Sequence, residues 1–121
     1  MGYVTTESLE ILLKQARMLV LPSFDEGFGL PILEAMSAGV PIVASNRGAL
    51  PEVLGDAGLL VDPTDTKSLA NAIQKTLSDS HHVRVSVARG IQRASHYSWQ
   101  RSARILRDAY AMAIENRRLN I

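Results

Sequence analysis

The stretch Met18-Leu-Val-Leu21, Pro22-Ser-Phe-Asp-Glu26, Gly27-Phe-Gly-Leu-Pro31, Ile32-Leu-Glu34 decides how this chain folds. Its first four residues are apolar, too few for a helix, and stop at a proline, so they read as a buried strand. Gly27 and Gly29 punctuate the loop that follows. A helix opens at Pro31, where proline is tolerated because the first-turn N–H has no intrahelical partner, and Gly39 lies just past its end at Ala38. A strand that runs through a glycine-bearing loop into a helix aims free N–H groups and the positive end of the helix dipole at the carboxyl edge of a sheet. That arrangement is a ready anion site. The dinucleotide fingerprint is excluded, because the third glycine of G-x-G-x-x-G falls on Ile32; no G-K-S/T follows, which excludes a P-loop.

Working outward, Thr6 to Arg17 carries Leu9, Leu12, Leu13 and Ala16 on one face of a helix. Glu7 and Glu10 near its start and Lys14 and Arg17 near its end suit the dipole, and Glu10 to Lys14 is a favourable i,i+4 pair. Downstream, Pro41–Ala44 reads as a second buried strand. Asn46 to Gly55 is turn-rich, with one helical turn near Pro51–Leu54, and Gly58–Val61 reads as a third strand closed by Asp62-Pro63. Continuous apolar strands separated by helices imply an α/β fold, a short parallel sheet covered on both faces. Three amphipathic helices complete the chain. They are marked by Leu69, Ala72, Ile73 and Leu77; by Val83, Val87, Ile91 and Ala94; and by Trp99, Ala103, Leu106, Tyr110 and Ala113, with Ser98 as an N-cap.

Composition agrees with one core. The chain has 121 residues, 46% of them hydrophobic and 21% charged, which suits a single globular unit and not two. It has no cysteine, so disulfide scaffolds and thiolate zinc sites are excluded. No apolar run approaches a membrane span, and Glu7 and Glu10 interrupt anything resembling a signal region. The plain expectation is a soluble, cytoplasmic protein. Charge is uneven: residues 1–65 hold nine acids against three bases, and residues 66–121 hold three against ten.

Within the deciding stretch, Glu26 and Glu34 bracket the glycines. Carboxylates beside an anion site oppose phosphate unless they meet another part of the same ligand, and vicinal sugar hydroxyls suit them, since one carboxylate accepts two such bonds. A ligand with a sugar, a diphosphate and a ribose satisfies both acids and the helix start, so the loop points to a nucleotide sugar. Simpler readings stand beside this one. Glu34 in a first turn complements the dipole for about 0.3–1 kcal/mol, Glu26 is an exposed loop charge, and Phe28 and Leu30 are core or lid contacts.

At these residues the chain resembles the C-terminal, donor-binding domain of GT-B glycosyltransferases, the group 1 or family 4 retaining enzymes. The similarity runs through Gly2-Tyr-Val4, Val20-Leu-Pro-Ser23, Glu26 to Met36, Ala38 to Ser45, Leu50-Pro-Glu-Val53, Leu59 to Pro63 and Tyr97-Ser-Trp99. The resemblance implies a partial Rossmann-like domain, with two glutamates separated by seven residues as its signature. It implies that Glu26 meets the donor sugar at the reacting centre as the catalytic glutamate. The main chain of Gly27, Phe28, Gly29 and Leu30 would meet the diphosphate and donor, Glu34 the ribose hydroxyls, and the main chain after Val4 the nucleobase. It further implies transfer of a hexosyl group from a UDP- or GDP-sugar to a glycan, lipid or small-molecule acceptor, with retention of configuration and no metal or other cofactor.

The same resemblance covers only the later part of one of two domains. Residues 1–121 then form a single incomplete donor domain, without its first two strands and the phosphate-binding Arg/Lys pair they carry; the N-terminal acceptor domain would be a partner. The helix over 98–121 would cross toward that domain. The strand at 18–21 is expected to have an open edge, closed by a second copy in a homodimer or by Gly2–Val4. A non-catalytic binding or assembly module that pairs through this edge is the alternative reading. Arg84, Arg89, Arg93, Arg101, Arg104 and Arg107 suggest a solvated or interdomain face, with peripheral contact to acidic lipids as the second choice. Nucleic acid is not expected, since the six aromatic residues are not interleaved with these arginines. His81, His82 and His96 lack metal-ligand spacing.

Overall fold

The computed structural model describes residues 5–24, 29–97 and 99–119. In chain order the elements are α1 (Thr6–Gln15), β1 (Leu19–Leu21), α2 (Leu30–Ser37), β2 (Ile42–Ser45), α3 (Leu50–Leu54), β3 (Leu59–Val61), α4 (Thr66–Ser78), α5 (Ser80–Ala94) and α6 (Trp99–Leu119). The three strands form one parallel sheet in the order β1-β2-β3, with Leu19 opposite Ile42 and Val43 opposite Leu59.

All four residues of β2 are buried, whereas β1 is half-buried throughout. Successive strand side chains alternate between faces. Ile42 and Ala44 enter the larger core, beside Ile32, Met36, Leu50 and Leu54 from α2 and α3. Val43 enters a smaller cluster on the other face with Val61 and with Ala72 of α4. Helices therefore cover both faces of the central strand, as the unbroken apolar runs require. Each large side chain sealed in this way contributes about 1.5–3 kcal/mol of transfer free energy.

Three of the long helices begin on a side-chain cap. Thr5 Oγ1 accepts the Ser8 N–H at 3.1 Å, Asp65 Oδ1 accepts the Ser68 N–H at 3.1 Å, and Asp79 Oδ1 accepts the His82 N–H at 2.9 Å. Asp79 also ends α4, so one residue separates α4 from α5.

Several boundaries and faces differ from the sequence expectation. α1 stops at Gln15, with Ala16 already extended, and Leu12 is exposed, so its buried stripe narrows to Leu9 and Leu13. α2 begins at Leu30, which makes Pro31 its second residue, and β2 reaches Ser45. In α5 the buried line is Ser86, Gly90 and Ala94, while Ile91 is exposed. The cause is the close approach of α5 to α2: a Cβ on Gly90 would lie 3.4 Å from Met36 Cγ. Leu77, Tyr110 and Ala113 also face solvent.

Among the described residues, β1 has a strand neighbour on one side only, which is the open edge expected from the sequence. The segment Gly2–Val4 and the Ser98 cap lie outside the described residues. No described helix is long and apolar enough to cross a membrane, and no three described His, Asp or Glu side chains gather as metal ligands.

The capping aspartates carry a pH signature. Hydrogen bonds from Ser68, hydroxyl first and then N–H, hold Asp65 below its ordinary value of 3.8, and the His82 N–H does the same for Asp79. A depressed folded-state value adds stability above the unfolded pKa, and that stability is lost as pH falls through the folded value. Thermal unfolding followed by circular dichroism from pH 6 to pH 2 should show a falling midpoint below about pH 4. The double substitution D65N/D79N should flatten that fall, and an unchanged slope would contradict the assignment.

Candidate functional site

Because the strands are parallel, the connections that follow β1, β2 and β3 all leave the same, carboxyl edge of the sheet. The first brings α2 to this edge. Gly29 is its N-cap, with φ +75°, a left-handed conformation that glycine adopts at no steric cost. The Gly29 carbonyl accepts the N–H groups of Ile32 at 3.0 Å and Leu33 at 3.2 Å. No side chain among the described residues caps α2, unlike α1, α4 and α5. Pro31 has no N–H, so the Gly29 and Leu30 amides are the donors this helix start offers to a ligand.

α3 stands directly behind the turn. A Cβ placed on Gly29 would lie 3.4 Å from Leu50 Cδ2 and 3.5 Å from Val53 Cγ2. One helical turn along α2, the half-buried Glu34 joins Leu30 and Leu33 in one wall of a cleft of about 410 Å3. α1 forms the opposite wall with Leu9, Glu10, Leu13 and Lys14, and Tyr97 closes one end. The lining is thus mainly apolar, with two carboxylates and one ammonium at its border. Leu30 and Glu34 are about 6 Å apart along the helix axis, so one mid-sized ligand can reach both.

The second and third loops meet at an ion pair. Arg47 Nη2 donates to Asp62 Oδ1 at 3.3 Å, and the Arg47 N–H is fixed by Ser45 Oγ at 3.1 Å. Hydrogen bonds from Thr64, its hydroxyl at 2.7 Å and its N–H at 2.9 Å, hold the Asp62 carboxyl below 3.8, with Arg47 adding a smaller push and burial opposing. Arg47 is the only basic residue between Met18 and Thr66, hence the sole basic side chain on these three loops.

The structure brings together Gly29, Leu30 and Glu34 at the amino end of α2. Glu26, Gly27, Phe28 and Val4 lie outside the described residues. Sequence reasoning missed the α1 wall of the cleft. Its only signal was the Glu10–Lys14 spacing, which reads as a pair within one helix and says nothing of a facing helix.

A parallel sheet whose carboxyl edge receives an uncapped, glycine-turned helix is the arrangement by which open α/β proteins bind nucleotides. Residues 1–79 match the model of the glycosyl transferases group 1, and the chain belongs to that family. It is 47% identical over 112 residues to the O-antigen chain mannosyltransferase B of Escherichia coli, a match that covers 93% of this chain and 29% of the relative. A sucrose-phosphate synthase from Thermosynechococcus elongatus superposes with a TM-score of 0.80 at 34% identity, over 96% of this chain and 30% of that one. The Anabaena protein HepE, solved in complex with UDP-glucose, superposes with a TM-score of 0.73 at 26% identity, over 79% and 27%. The chain therefore spans about three-tenths of these proteins.

Gly29→Ala is expected to destabilise the chain by about 1–2 kcal/mol, the cost of a left-handed conformation for an L-residue. Urea unfolding measures this, and an unchanged midpoint would show that the turn relaxes without strain.

Proposed function

We propose that this chain is the donor-binding part of a retaining hexosyltransferase, taking a UDP- or GDP-sugar and releasing the nucleoside diphosphate. The observation that carries the proposal is the juxtaposition of the uncapped amino end of α2 with Glu34 in the wall of one cleft. In this reading Glu34 accepts the ribose hydroxyls. The amides of Gly29 and Leu30, with the main chain of Gly27 and Phe28, meet the diphosphate. Glu26 meets the transferred sugar, and the main chain after Val4 meets the nucleobase. Negative charge grows on the diphosphate as its bond to the sugar breaks. Preorganised N–H donors and a helix dipole stabilise such charge most in the transition state. No metal is invoked for that role, and Arg47 is the one basic side chain on the three carboxyl-edge loops.

The mannosyltransferase relative and the UDP-glucose complex of HepE support this assignment. The acceptor half and the two missing strands would come from outside residues 1–121, so the chain alone binds donor without transferring it. Action in the cytoplasm, with α6 crossing to the acceptor half or touching a membrane face, belongs to the same reading. A second reading is a non-catalytic module that assembles with a copy of itself. It is favoured by one observation, that β1 has a strand neighbour on one side only among the described residues.

Isothermal titration with GDP-mannose and UDP-glucose tests the assignment. One of them should bind with a stoichiometry of one. Glu34→Gln should weaken it about tenfold to a hundredfold, the range for losing hydrogen bonds to a charged group. Absence of binding by both, or an affinity untouched in Glu34→Gln, would overturn the assignment. Arg47→Ala should cause a smaller loss that shrinks as salt is raised.

A further inference from the structure

We propose that Arg93, at the end of α5, is a positioning residue for the Gly29 turn, holding it through α3. The functional meaning of that role rests on the donor-site reading above; the mechanical coupling does not.

Arg93 is half-buried, and its guanidinium is directed at main-chain carbonyls. Nε–H donates to the Val53 carbonyl at 2.7 Å and Nη2 donates to the Glu52 carbonyl at 2.5 Å. Both acceptors lie in the last turn of α3, where carbonyls have no intrahelical donor left. The planar fork of arginine suits two adjacent acceptors, and its positive charge complements a helix carboxyl end. Gly55 makes room for it: a Cβ there would stand 2.6 Å from Arg93 Cζ, so a side chain would collide with the guanidinium. One turn earlier on α5, Arg89 reaches Asp56 at 3.7 Å, so two arginines of one helix hold the segment from Glu52 to Asp56.

α3 has five residues, far below the length at which a helix persists by itself. Its position is therefore set by what holds it, and Arg93 binds its carboxyl end while Leu50 and Val53 bury its inner face. Val53 is the link. Its carbonyl receives the Nε–H bond, and its side chain would stand 3.5 Å from a Cβ on Gly29, with Leu50 at 3.4 Å on the same side. Only one residue separates the guanidinium from the turn. Without those two bonds the end of α3 is free to move outward, and Gly29 loses the surface that keeps its left-handed turn and aims the amides beyond it.

The test compares 1H–15N spectra of the full chain with those of Arg93→Met, which keeps length and loses the donors, Arg93→Lys, and Asp79→Ala. The last removes the cap at the opposite end of α5 and controls for a general loss of stability. Arg93→Met should displace the Gly29 and Leu30 amide signals and leave the α1 cap amide of Ser8 in place. Arg93→Lys, able to serve one carbonyl, should displace the same two signals less. Asp79→Ala should leave both where they are. Titration with UDP and with GDP should show binding weakened about tenfold in Arg93→Met, as expected when binding groups are misplaced from a distance.

Gly29 and Leu30 signals unmoved in Arg93→Met would overturn the proposal, as would equal displacement in Asp79→Ala. If Arg93→Met does not fold, unmoved signals in Arg93→Lys overturn it and displaced ones support it. Should the unaltered chain bind neither UDP nor GDP while the two amides still move, the coupling stands and the donor-site reading falls.

Discussion

A single left-handed residue, Gly29, sets the geometry of the carboxyl edge. With φ at +75° it leads the chain into α2, and its carbonyl accepts the N–H groups of Ile32 and Leu33. A residue with a side chain would meet Leu50 and Val53, already at van der Waals distance. The same glycine, having no side chain, leaves α2 without the cap that Thr5, Asp65 and Asp79 give to α1, α4 and α5. Anchoring is supplied instead by the buried side of α2, where Ile32, Ala35 and Met36 seal against β2 and α5. The helix is held by its apolar face, and no described side chain caps its amino end, which suits a ligand-binding helix.

Much of this was legible in the residues from Met18 to Glu34, because the signals there are local. An apolar run stopped by proline, two glycines in a loop and a proline in the first turn specify a strand, a turn and a helix without knowledge of the rest. Three parallel strands followed from the apolar runs themselves, and the open edge of β1 from the family resemblance. What escaped it depends on partners distant in sequence. Ser86, Gly90 and Ala94 carry little hydrophobic signal, and they are buried only because α2 comes close enough to exclude larger side chains. Leu12 and Ile91 sit at apolar positions of their helices yet are largely exposed. The cleft needs α1 and α2 together, and the Arg47–Asp62 pair and the hold of Arg93 on α3 join residues 15 and about 40 apart in sequence.

The uneven charge of the chain also gains a structural sense. The acidic half supplies the carboxyl-edge loops, where Asp62 is spoken for by Arg47 and Thr64. Several of the basic residues of the other half lie on α5, and there Arg89 and Arg93 serve the segment that backs the Gly29 turn. A group 1 glycosyl transferase segment that spans about three-tenths of the relatives it matches thus keeps two arginines behind the Gly29 turn, while β1 has an open edge among the described residues.

In the proposed function the amino end of α2 and Glu34 together hold a nucleotide sugar. A crystal structure of the chain grown with GDP-mannose or UDP-glucose tests it most directly. Diphosphate oxygens should lie within about 2.7–3.2 Å of the Gly29 and Leu30 nitrogens, with ribose hydroxyls on the Glu34 carboxylate. A nucleotide sugar seated away from α2, or one that leaves Glu34 facing solvent, would contradict it.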